Sequence, residues 1–151
     1  MRNPVNAMKS IRILLLAAFA AFGLATNGLA ADPHGGHAPS GELPKEQKKF
    51  LASYEGVRAA LAADDLATAK RSATNLTESK AAAELAKTTS IDAARAAFKK
   101  LSTEAVQLAK GHAGYYIANC PMADADWVQT NKTISNPYYG KSMLTCGSIK
   151  E

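Results

Sequence analysis

Four sulfur-bearing residues near the C-terminus carry the strongest chemical signal in this 151-residue chain. Cys120 and Met122 lie in "NCPMADADW", residues 119–127, and Met143 and Cys146 in "SMLTCG". The chain has two cysteines in all, and each has a methionine two or three positions away. Thiolate and thioether are soft donors, better matched to Cu(I) than to hard divalent ions. The set therefore reads as a candidate Cu(I) site. The same two cysteines equally suit a disulfide across 25 intervening residues. The loop-entropy account gives such a bridge roughly 3 kcal/mol, with the methionines packed under aromatic neighbours. A disulfide consumes both anionic donors, so one molecule cannot hold both arrangements at once. Metal binding by the reduced form and a disulfide-bonded resting form are compatible. Both readings stay open.

The other candidates are weaker in kind. His34 and His37, in "HGGH", form a pair able to chelate a metal and to act as a loading arm, or else a solvated linker. A terminal amine-and-amide Cu(II) chelate is closed to them, because Pro33 lacks the backbone N–H it needs. His112, eight residues before Cys120, is conceivable as a base for a cysteine nucleophile, but no orienting third group is identifiable. Asp124 and Asp126 are candidates for a hard cation or, more simply, for a solvated turn. Trp127, Tyr138 and Tyr139 form either the core of a small lobe or a surface for a partner. No phosphate-cradling glycine loop, Ser-His-Asp order or Cys-x-x-Cys motif is present, so the sequence argues against an enzyme.

At the N-terminus, Arg2, Lys9 and Arg12 precede an uncharged run from Ile13 to Ala25, and small residues lead into Gly28-Leu29-Ala30. This is the layout of a secretory signal peptide over residues 1–30, with cleavage near Ala30 or Ala31, and the apolar run is short for a membrane span. The expected compartment is the periplasm, with no stable membrane insertion after cleavage. Within the whole chain 18 basic residues oppose 13 acidic ones. Removing the three basic residues of the signal leaves 15 against 13, which gives no reason to expect nucleic acid as a partner.

Residues 31–44, with three prolines, three glycines and two histidines, read as a flexible arm. The remainder, 45–151, reads as one small domain. Phe50, Tyr54, Val57 and Leu61 recur at helical spacing. Asp64 or Asp65 can cap a second helix carrying Leu66, Ala69, Ala73 and Leu76. Thr89, with Asp92 three residues on, resembles a capping box for a third, marked by Ile91, Ala94, Phe98, Leu101, Ala105 and Leu108 and stopped at Gly111. These stripes predict a mainly α protein: an up-and-down antiparallel bundle of three to four helices. After Gly111, "AGYYIANC" and "SMLTCGSIK" are β-compatible runs separated by a loop holding Trp127. They predict a small irregular or β-ribbon lobe over residues 112–151, in which the runs pair and bring the cysteines together.

The lobe also carries a resemblance. "YYIANCPMADADWVQ" and "ISNPYYGKSMLTCG" resemble the C-terminal signature of the family called domain of unknown function 3347: Cys-Pro-Met-Ala, a Trp with a nearby Gln, Asn-Pro-Tyr-Tyr-Gly, and Met-Leu-x-Cys-Gly. The match covers residues 115–147. Members have a longer glycine-containing insert before the Trp, where this chain has only Asp124-Ala125-Asp126. The resemblance implies an exported bacterial protein linked to periplasmic adaptor and efflux components for heavy metals, and so strengthens copper as the expected cargo. The competing expectation is a disulfide-stapled, non-catalytic interaction module of the cell envelope.

Overall fold

The computed structural model describes residues 41–150. The expected signal peptide, most of the arm, His34 and His37 lie outside the described residues. The protein is mainly α, with four helices and a small three-stranded antiparallel sheet near the C-terminus.

Helix α1, Lys45–Ala62, buries Leu51, Tyr54, Val57 and Leu61. Their spacing of three, three and four keeps one face turned to the core. Leu51 takes the inward position expected of Phe50, which is half-buried. Leu43, at the end of the expected flexible arm, is also buried in the core, so the domain begins before Lys45. After α1 the backbone reverses at Asp64, whose φ of 61° is left-handed. Asp65 then caps helix α2, Leu66–Ala73, its side chain accepting from Thr68 N–H at 2.9 Å. Leu76, expected on α2, follows the helix end but is still buried.

Helix α3, Lys80–Ala86, is a short element that the apolar periodicity did not mark, capped by buried Ser79. Helix α4, Ile91–Ala109, buries Ala94, Phe98, Leu101 and Ala105 as expected. Its cap is Ser90 rather than Thr89, accepting from Ala93 N–H at 3.2 Å. That one-residue shift places Asp92 in the first turn, where it favours the helix dipole, and removes the capping box. Gly111 follows with a φ of 78°, the left-handed stop that the sequence predicts.

Strand β1, Tyr116–Cys120, is central. It pairs antiparallel with β2, Ala125–Gln129, and with the two-residue β3, Ser148–Ile149. The expected pairing of the two β-compatible runs thus holds only for the tail of the second. "GKSM", residues Gly140–Met143, is a 3-10 helix, and the segment expected to be a loop around Trp127 is a strand. The short Pro121–Asp124 turn closes β1 onto β2, with Asp124 at a φ of 46° filling a place usually left to Gly or Asn. α4 packs on β2, and Tyr54, Phe98, Tyr138 and Trp127 form a chain of rings between helices and sheet. Among the described residues no helix is long and apolar enough to cross a membrane.

Candidate functional site

Cys120 ends β1, and the register that sets it opposite Ala125 also turns its side chain into the core. Cys146 arrives from the other direction, between the 3-10 helix and β3. Their Sγ atoms lie 3.3 Å apart, both as free thiols, with Cys120 fully buried and Cys146 half-buried. This separation falls between about 2.05 Å for a disulfide and the roughly 4.6 Å that two metal–thiolate bonds of about 2.3 Å can span. Modest motion reaches either product.

Three supports hold Cys146 in place. Buried Asn136 donates from Nδ2 to the Cys146 carbonyl at 2.7 Å, while its Oδ1 accepts from Tyr138 N–H at 2.8 Å. The Asn136 main chain closes on the same segment, its N–H donating to the Leu144 carbonyl at 2.8 Å. Gly147, at a φ of 133°, lets the chain pass against the Asn119 carbonyl and the Trp127 ring. Further out, Asp64 grips the start of the 3-10 helix. Its carboxylate pairs with Arg95 at 2.5 Å and accepts from Lys141 N–H at 3.2 Å. Partial burial raises the Asp64 pKa, but the Lys141 amide and the Arg95 guanidinium outweigh it and hold it below the ordinary carboxylate range.

The two thiols are unequal. Burial pushes the Cys120 thiol up, yet the N–H groups of Ala123 and Met122, the Cys146 thiol and the Asn136 side chain more than offset it, and its pKa is lowered. The Cys146 pKa is raised, first by its hydrogen bond to Cys120, then by burial and by the Cys120 charge.

The methionines stand differently. Met122 leaves 62% of its surface exposed. It lines a hollow of about 280 Å³ with Arg95, Lys99, Tyr138 and Tyr139, and its carbonyl accepts from the Tyr139 hydroxyl at 3.1 Å. Met143 is half-buried on the 3-10 helix, its carbonyl accepting from Cys146 N–H at 3.0 Å. Trp127 and Tyr138 are buried core residues rather than a partner surface, and Tyr139 is half-buried. Asp126 pairs with Lys150 at 2.8 Å and accepts from Asn119 at 2.7 Å, and Asp124 is an exposed turn residue. Both line one hollow that also holds Lys99 and Lys150. His112 lines a hollow with Leu43, Lys48 and Tyr115. Among the described residues no group of three or more His, Cys, Asp or Glu is placed to hold a metal ion.

Asn136 and Asp64 are the supports that sequence reasoning missed. Asn136 was legible only as part of the Asn-Pro-Tyr-Tyr-Gly motif, and Asp64 only as a helix cap. Comparison with protein families, curated proteins and solved structures returned no match.

Proposed function

We propose that this is an exported, non-catalytic carrier or buffer for a soft metal ion, Cu(I), taken up between Cys120 and Cys146. The observation that carries the reading is the 3.3 Å approach of the two sulfurs in the described domain. No third His, Cys, Asp or Glu joins them among the described residues. A two-thiolate set without such partners favours a soft monovalent ion over zinc, whose closed sites take four Cys or His donors. Met122, exposed at the neighbouring turn, and Met143 are the auxiliary thioethers of this proposal, with His34 and His37 as a loading arm. An up-and-down order for the helices, a periplasmic address and delivery to adaptor or efflux components complete it. The last rests on the motif resemblance alone.

The test is competition with a chromophoric chelator. Reduced mature protein is expected to take about one Cu(I) per chain, and the oxidised protein to lose most of that affinity. Met122→Leu or Met143→Leu should weaken binding without loss of stability, since Leu conserves volume. Cys146→Ser should damage both. Failure of the reduced protein to withdraw Cu(I) from a chelator of about micromolar affinity overturns the metal reading. A second reading, the disulfide-stapled interaction module, is favoured by the 62% exposure of Met122, which turns its side chain toward solvent.

A further inference from the structure

The two sulfurs differ in what can reach them, and that difference gives the pair a direction. Thiol–disulfide exchange needs a thiolate to approach one sulfur in line with the bond that breaks. Cys120 is fully buried at the end of the central strand, whereas Cys146 is half-buried in the segment between the 3-10 helix and β3. With the pair joined, an incoming thiolate meets Cys146. The sulfur released is then Cys120, which stays enclosed in the core.

We propose that the oxidised Cys120–Cys146 pair is a one-directional thiol-exchange site, in which Cys146 Sγ accepts the external thiol and Cys120 is the leaving sulfur. The partners are compounds with an accessible thiol, of which glutathione is the simplest. In the forward step the external thiolate forms a sulfur–sulfur bond to Cys146 while the Cys146–Cys120 bond breaks, and the electron pair departs with Cys120. In reverse, Cys120 thiolate attacks Cys146 in the mixed disulfide and expels the external thiolate. The initial disulfide comes from glutathione disulfide by that reverse route, its first step placing glutathione on Cys146 and releasing one glutathione. Atoms and electrons balance in each step with no other oxidant. The proposal is independent of metal binding, and its test is run on metal-free protein in the presence of a chelator.

Full-length mature protein, oxidised with glutathione disulfide, is mixed with glutathione, quenched in acid and mapped by mass spectrometry. The expected adduct carries glutathione on Cys146 with a free thiol at Cys120. An even split, or an adduct on Cys120, overturns the direction. Absence of any adduct is resolved by the single-thiol variants. Folded Cys120→Ser should take up glutathione from glutathione disulfide at least tenfold faster than folded Cys146→Ser, and the two rates should converge in denaturant. Equal rates in the folded state overturn the proposal. If either variant fails to fold by circular dichroism, alkylation of the reduced wild-type protein at high pH, where both thiols ionise, replaces it. Cys146 should then be modified first, and modification of Cys120 first overturns the inference.

Discussion

A single methyl group added at Gly147 has nowhere to go. Its Cβ would lie 2.7 Å from both the Asn119 carbonyl oxygen and Cη2 of Trp127, and the φ of 133° belongs to a region that side-chain-bearing residues rarely enter. Neither neighbour gives easily, because the Asn119 main chain is in the central strand and Trp127 is fully buried. Gly147→Ala should therefore cost about 3 kcal/mol, combining backbone strain with overpacking. Urea denaturation should show this as a lower midpoint with an unchanged slope. Since the residue adjoins Cys146, the variant should also slow disulfide formation. A midpoint equal to that of the wild type would mean that the Cys146 segment is not held against the sheet as described.

At the scale of elements, one hydroxyl joins three of them. Tyr54 on α1 exchanges a 2.8 Å hydrogen bond with Ser102 on α4 and accepts from the Val128 N–H of β2 at 3.1 Å. Burial is the first cause raising the Tyr54 pKa, so the phenol stays protonated. Tyr54→Phe keeps the ring stack on Phe98 but strands the Val128 N–H in the interior. The expected loss is about 2 kcal/mol, the scale of an unsatisfied buried donor. Ser102→Ala, which removes only a small hydroxyl, should cost less. A Tyr54→Phe variant as stable as wild type would refute this account of how the sheet is docked. The same elements show how far sequence reaches. α1 and α4 were legible because long stripes of Tyr, Phe, Val and Leu repeat along them. α3 was not, since among its apolar residues only Leu85 is not alanine. β2 escaped notice because Trp127, Val128 and Gln129 are all buried in succession, which breaks the alternation that marks a half-buried strand. "SMLT" looked extended in isolation, but its 3-10 turn is anchored through the Lys141 N–H to Asp64, 77 residues away in sequence. The cysteines were visible as chemistry. The long-range contacts of Asn136 and Asp64 that position them follow from the fold and from no local pattern.

Across the whole molecule, alanine sets the margin of stability. Of the 25 buried apolar residues among those described, 12 are alanine, so the helices pack closely while each buries little area. In so thin a core the redox state of two sulfurs becomes a large fraction of the total. Closing 25 intervening residues with a disulfide removes chain entropy worth roughly 3 kcal/mol from the unfolded state. For a domain of this size each kcal/mol moves Tm by about 4 °C. The oxidised protein should therefore melt about 10 °C above the reduced, metal-free protein in calorimetry. Cu(I) acts by a different law, stabilising by mass action, about 2.7 kcal/mol at a hundredfold excess over Kd. Titrating Cu(I) should raise Tm of the reduced protein progressively and leave the oxidised protein unmoved, because its sulfurs are already joined. Equal melting of oxidised and reduced protein would show that the bridge does not staple the domain. A copper-induced rise in the oxidised protein would place the metal on donors other than Cys120 and Cys146.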